Sequence, residues 1–170
     1  KTFGIVGVGE IGLAVAERAR SFGMTVVAER KTDRRADVEA RIRSIGIRLV
    51  DDLDALLAES DIVSIHVPGG DQTVDLVDAG FLDRMKPGSI LLNTSRGEVV
   101  DEGALLDAIE SKGIRAGLDV FRDEPSSGTG EFISKLAAHP SVVGTHHIGA
   151  STQQAQDATS ARTIDVIEAY

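Results

Sequence analysis

Residues 3–19 read FGIVGVGEIGLAVAERA, and this stretch sets the frame for the rest of the chain. Phe3 to Val8 is an apolar run of strand length. Gly7, Gly9 and Gly12 follow at the spacing GxGxxG, and from Ile11 to Arg20 the side chains of Leu13, Ala14, Ala16 and Ala19 recur at helical intervals. In a chain with 18 glycines such a string is weak evidence by itself. Between a strand and a helix it acquires a mechanism. The first glycine makes the tight turn, the second lets a pyrophosphate approach the backbone, and the third lets helix and strand pack closely. The helix N-terminus then offers unpaired N–H groups and the positive end of its dipole. Gly7, Gly9, Glu10, Ile11 and Gly12 are the first candidate dinucleotide contacts.

The same alternation continues outward. Phe22-Gly23-Met24 turns the chain into a second strand, Thr25 to Ala28, and closes a βαβ unit. Residues 29–44 read as a mixed charged segment, Ile47 to Val50 as a third strand and Leu53 to Ala58 as a short helix. Ile62 to Val67 is a buried strand that Pro68-Gly69-Gly70 breaks. Two weak helical patterns cover 72–85, and Lys86-Pro87-Gly88 leads into the strand Ile90 to Asn93. A helix over 101–111, a strand over 114–118, a turn-rich loop over 121–131 and a helix-like 132–138 follow. The strand Val142 to Thr145 and a helix over 152–170 complete the series. Short apolar runs alternating with helical patterns predict an α/β fold, a Rossmann-type doubly wound parallel sheet of about seven strands with helices on both faces.

Composition narrows the class. A chain of 170 residues is long enough for one domain with a substantial core. With five Phe, one Tyr and no Trp, that core rests on Val, Ile, Leu and Ala, which suits a buried parallel sheet. Zero Cys excludes a disulfide framework. Eighteen Lys plus Arg against 27 Asp plus Glu leave a net charge of −9 with no long basic run, which argues against nucleic-acid binding. No apolar stretch reaches the roughly 20 residues of a membrane span. The expectation is a cytoplasmic protein without a membrane partner. No Met stands at the start, and a strand pattern opens within three residues, so the chain is expected to be one domain, 1–170, of a longer protein.

The end of the second strand bears on which dinucleotide binds. An Asp or Glu there accepts from the ribose 2′-OH of NAD, whereas an Arg pairs with the 2′-phosphate of NADP. The sequence has Ala28-Glu29-Arg30-Lys31. Arg30 favours NADP, while Glu29 remains able to face the ribose. Three further segments each follow a predicted strand, at the carboxyl edge where open α/β sheets bind ligands. Arg96, in Asn93-Thr94-Ser95-Arg96-Gly97, can hold a carboxylate and polarise a carbonyl. Asp119 and Glu124 follow the next strand. His147, in His146-His147-Ile148-Gly149-Ala150, is suited to donate and accept protons, with a neighbouring carboxylate to fix its tautomer.

Together GVGEIG, NTSRGEVVDEGAL, GLDVFRDEP and HHIGAST resemble the nucleotide-binding domain of the D-isomer-specific 2-hydroxyacid dehydrogenases along essentially the whole chain. The resemblance implies a nicotinamide cofactor, NAD(P), and a small anionic 2-hydroxy or 2-oxo acid as substrate. It assigns Arg96 to the substrate carboxylate and carbonyl, His147 to proton transfer at the C2 oxygen and Glu124 to a hydrogen bond with His147. Asp119 looks like the residue on the nicotinamide side. Val67, Pro68, Thr73, Thr94 and the backbone of 147–150, with His147, Gly149 and Ala150, resemble positions lining the cofactor. His146 stands where the family usually has Pro and reads as a strand-end residue, with a proton role as the alternative. Gly69-Gly70 replaces bulkier residues. HIGAST followed by QQAQ is most similar to the phosphoglycerate dehydrogenase branch, and Arg30 to the glyoxylate and hydroxypyruvate reductases. In another class, dinucleotide-sensing transcriptional co-repressors also resemble this family. The family implies a substrate domain flanking the present one, and a homodimer or homotetramer.

Overall fold

The computed structural model describes residues 1–125, 132–149 and 151–168. Seven strands run parallel in the order β3-β2-β1-β4-β5-β6-β7. They are β1 (Thr2–Val6), β2 (Thr25–Glu29), β3 (Arg48–Val50), β4 (Ile62–Ile65), β5 (Ile90–Asn93), β6 (Arg115–Leu118) and β7 (Val142–Gly144). The helices are α1 (Glu10–Ser21), α2 (Ala36–Ile45), α3 (Leu53–Glu59), α4 (Ala79–Arg84), α5 (Glu102–Lys112) and α6 (Gln153–Glu168). Because all strands share one direction, all their carboxyl ends lie on one edge, and the order reverses between β1 and β4.

The period of two along the strands explains both faces. Phe3 and Ile5 of β1, with Val26 and Ala28 of β2, point into a core that Leu13, Ala16 and Ala19 of α1 and Ile42 of α2 close. Val6 and Val27 point the other way, into a larger core with Leu56, Phe81, Leu91, Leu105 and Ile109. With both faces covered, the strands read as near-continuous apolar runs.

Helix ends follow from local chemistry. The carboxylates of Asp52, Asp78 and Asp101 accept from Ala55 N at 2.8 Å, Phe81 N at 2.7 Å and Ala104 N at 3.0 Å, capping α3, α4 and α5. Gly46 and Gly113 end α2 and α5 in the left-handed conformation. By contrast, α1 begins at Gly9 with no side-chain cap.

Three sequence expectations need correction. Residues 29–44 contain α2, hidden because only Ile42 is fully buried and the N-cap is Arg35. The two patterns over 72–85 resolve into turns at 71–75 and the single helix α4. Residues 132–138 are not helical: they form turns at 135–138, where Leu136 is buried and Phe132 packs on Phe121 with ring centroids 5.5 Å apart. Among the described residues no helix is long and apolar enough to cross a membrane.

Candidate active site

The glycine loop follows β1 directly. Gly7 adopts φ +98°, and a Cβ there would lie 2.5 Å from the His66 carbonyl oxygen, so only glycine lets β1 and β4 diverge this closely. A Cβ on Gly12 would lie 2.2 Å from the Gly7 carbonyl oxygen, which fixes the close approach of α1 to its own turn. Gly9 differs from both: among the described residues nothing lies within 4 Å of its Cβ position. Open space over Gly9, beside an uncapped helix N-terminus, is what a dinucleotide pyrophosphate requires, and the residues present fit that group. Ile11 is 69% exposed on the first turn of α1. Glu10 forms an ion pair with Arg41 of α2 at 2.7 Å.

Further along the same edge, β4 delivers His66, Val67 and Pro68. Burial pushes the His66 imidazole below the ordinary histidine range, and its Nε2 lies 2.8 Å from Ser64 Oγ. The Thr73 hydroxyl donates to the Pro68 carbonyl at 2.7 Å, with the Gly70 carbonyl at 3.0 Å, so this candidate cofactor residue closes the loop that starts at Pro68. At the end of β2, Arg30 N donates to the Val50 carbonyl at 2.7 Å. Its half-exposed side chain lies 3.8 Å from the exposed Asp51. Such a surface contact contributes at most about 1 kcal/mol and leaves the guanidinium available. Arg34 is not available in this way: it is bound to the Glu29 carbonyl and lies 3.5 Å from Glu39.

Beyond β5 the buried Asn93 shapes the Arg96 loop. Its Nδ2 donates to the Arg96 carbonyl at 2.9 Å, and its Oδ1 accepts from Ser95 N at 3.0 Å and Ser95 Oγ at 2.8 Å. Thr94 and the Arg96 side chain remain exposed. Gly97 brings this loop against the next one, since a Cβ there would lie 2.0 Å from the Phe121 carbonyl oxygen. The second glycine of this kind is Gly69, where a Cβ would meet Glu98 Oε1 at 2.5 Å and Arg96 Cγ at 3.0 Å.

Past β6 and β7 the remaining residues converge. His147 Nδ1 lies 2.6 Å from Glu124 Oε1. His147 has φ +57°, and Asp123, which precedes Glu124, has φ +58°, so each partner sits on or beside tightly turned backbone. An ionised carboxylate only accepts, so Glu124 selects the Nδ1–H tautomer and leaves Nε2 to exchange a proton. His146 lies two residues past β7 and is exposed. Ala150 lies outside the described residues.

Asp119 organises this loop, a task its sequence does not advertise. Its carboxylate accepts from Ile148 N at 2.9 Å, Gly149 N at 2.8 Å and Thr145 Oγ1, while its carbonyl accepts from His147 N at 2.8 Å. Burial alone would raise its pKa. The bonds from Thr145, Ile148 and Gly149, with the nearby His147, outweigh burial and hold the carboxyl below the ordinary 3.8. A depressed folded pKa contributes stability that is fully present above the unfolded value and is lost as pH falls through the lower folded value. Asp119→Asn is therefore expected to destabilise the protein at pH 7 by about 1–3 kcal/mol. The gap from wild type should close below pH 3.8. Denaturant unfolding of both proteins between pH 3 and 7 checks this, and a gap independent of pH contradicts it.

The sequence offers Arg96, Glu124 and His147 as candidates, and the structure brings Glu124 and His147 together; the sequence does not point to Asn93, Gly97, Asp119's hold on the loop or Arg122, which is treated below. Only the glycine beside Arg96 carried a readable signal.

Comparison with known proteins identifies the family. Residues 1–149 match the model of the D-isomer specific 2-hydroxyacid dehydrogenase, NAD binding domain. A D-3-phosphoglycerate dehydrogenase of Mycobacterium bovis is 46% identical over 158 residues, covering 92% of this chain and 28% of that protein. A glyoxylate reductase of Thermococcus litoralis is 43% identical over 158 residues, covering 92% of this chain and 45% of that protein. The crystal structure of an Aquifex aeolicus D-lactate dehydrogenase, complexed with NAD and lactic acid, superposes with a TM-score of 0.80 at 33% identity. That match covers 99% of this chain and 52% of that one. The chain thus spans between 28% and 52% of the length of these relatives. Family match and topology coincide: the chain belongs to the D-isomer specific 2-hydroxyacid dehydrogenase family and contains its NAD-binding domain.

Proposed function

We propose that residues 1–170 form the dinucleotide-binding and catalytic domain of a longer NAD(P)-dependent dehydrogenase acting at C2 of a D-2-hydroxy or 2-oxo acid. The observation that carries this reading is the His147–Glu124 pair at 2.6 Å on the sheet edge that also bears the glycine loop and Arg96. When bound, the nicotinamide accepts or supplies the hydride. The chain's own residues do the rest. Arg96, held by Asn93 and Gly97, anchors the substrate carboxylate and places positive charge beside the C2 oxygen. In oxidation His147 Nε2 takes the hydroxyl proton, and in reduction it returns one, while Glu124 keeps Nδ1–H in place. Gly9 and the free N–H groups of α1 hold the pyrophosphate end.

The substrate we favour is D-3-phosphoglycerate, supported by the 46% identical relative of that name. Assembly as a cytoplasmic homodimer or homotetramer belongs to the same reading. The exposed Arg30 supports the other candidate, an NADPH-dependent glyoxylate or hydroxypyruvate reductase, because its guanidinium is free to pair with a 2′-phosphate. Steady-state assays of the full chain with 3-phosphoglycerate, glyoxylate and hydroxypyruvate, each with both dinucleotides, separate the two. Turnover of 3-phosphoglycerate supports the first, and confinement to the two oxo acids supports the second. Titration of the full chain is expected to give tighter binding of NADPH than NADH. Arg30→Asp should reverse that order, by about tenfold for a lost charge-assisted contact. Tighter NADH binding by wild type would overturn the assignment of Arg30.

A further inference from the structure

The loop that carries Glu124 is fastened from a side chain that takes no part in the proposed reaction. Arg122 stands two residues before Glu124. Its backbone N–H donates to Glu102 Oε1 on the first turn of α5 at 2.8 Å. Its Nη2 reaches the carbonyl oxygens of Glu98 and Val100, each at 3.1 Å, and the Asp75 carboxylate. Asp75 adopts φ +51°, a conformation in which Asp is tolerated better than most residues, and its own N–H donates to the Glu98 carbonyl at 2.9 Å. One guanidinium therefore joins three pieces of chain: the Glu124 loop, the turn at 97–99 after Arg96, and the 70–77 segment that leaves Pro68.

Gly97 makes the join close. A Cβ there would lie 2.0 Å from the Phe121 carbonyl oxygen and 2.6 Å from Arg122 N, so the backbones at 97 and 121–122 touch. Resting on the reading of Arg96, Glu124 and His147 given above, we propose that Arg122, paired with Asp75, is a positioning residue that locks the substrate-anchoring Arg96 loop to the Glu124–His147 pair. The Arg122 guanidinium bonds Asp75 and the 98–100 backbone, so it acts through the loops. Without it, Phe121 still packs in the core and Gly97 still touches the 121–122 backbone, but the ties from the guanidinium to Asp75 and the 98–100 backbone are lost.

The test uses the full chain with Arg122→Met, Arg122→Lys and Asp75→Asn. Loosened geometry of this kind costs roughly tenfold or more in rate. Arg122→Met is expected to lower kcat by that amount and raise KM for the 2-oxo acid, with KM for the dinucleotide within twofold of wild type. Arg122→Lys keeps the pairing with Asp75 and should recover part of the loss. Asp75→Asn, which tolerates the same backbone, should move kcat in the same direction as Arg122→Met and guards against a fold defect in the latter. A second readout needs no turnover. In spectra of 15N-histidine-labelled protein at alkaline pH, His147 should be the Nδ1–H tautomer in wild type and a mixture in Arg122→Met. Unchanged kcat and KM with a single tautomer in a folded Arg122→Met protein would overturn the proposal. Wild type that turns over no 2-oxo acid would instead count against the functional reading, and the tautomer measurement would still decide the role of Arg122.

Discussion

The full chain carrying His147→Asn is expected to lose about 10² to 10⁴-fold in kcat, the contribution typical of a positioned general acid or base. Asn is the informative replacement because His147 sits at φ +57°, where Asn is tolerated and a larger unbranched residue is less so. The backbone bonds from His147 N and Gly149 N to Asp119 should therefore persist, and so should the shape of the loop. What disappears is the imidazole proposed to exchange a proton at Nε2, whose Nδ1 lies 2.6 Å from Glu124. Dinucleotide affinity should stay within about threefold, since a change of that size is under 1 kcal/mol. Rapid-quench or steady-state rates together with a fluorescence titration measure both quantities. A loss in kcat below about fivefold would remove His147 from the chemistry.

The second large effect concerns the cofactor end. Gly9→Ala is expected to weaken dinucleotide binding by about a hundredfold, near 2.7 kcal/mol, while leaving thermal stability nearly unchanged. The two halves of this prediction come from one observation. Among the described residues nothing lies within 4 Å of the Cβ position of Gly9, and its φ of −95° suits any L-residue, so the apo fold has no reason to object. The added methyl would occupy the space that the pyrophosphate needs. Gly7→Ala forms the control: its φ of +98° and the His66 carbonyl at 2.5 Å predict a loss of stability together with binding. Equal stability losses in both variants would contradict the role given to Gly9.

The edge of the sheet was readable because parallel strands place every strand end on the same side. Once GVGEIG was assigned to a strand, a turn and a helix, the positions of Arg96, Glu124 and His147 after later strands followed from alternation. The helix α2 was not readable, because it buries only Ile42 fully and presents charges elsewhere, so its period is faint. Residues 132–138 carried enough apolar spacing for a helix, but the chain folds them into turns around Leu136 before Pro140. Long-range contacts were the least legible. Nothing local links Asp119 to Ile148 and Gly149, or Arg122 to Asp75, because those partners are 29, 30 and 47 residues apart. The absence of a side chain at Gly97 has meaning only once the Phe121 backbone is seen against it.

Isotope labelling follows the proposed hydride transfer at C2 and its dependence on His147 directly. The most direct measurement follows a 2-oxo acid, such as hydroxypyruvate, reduced by the full chain with dinucleotide deuterated at nicotinamide C4, with the product resolved by chiral chromatography and mass spectrometry. With both C4 positions deuterated, wild type should yield a D-2-hydroxy acid that carries deuterium at C2, and His147→Asn almost none. An L-configured product, or product without deuterium at C2, would contradict it.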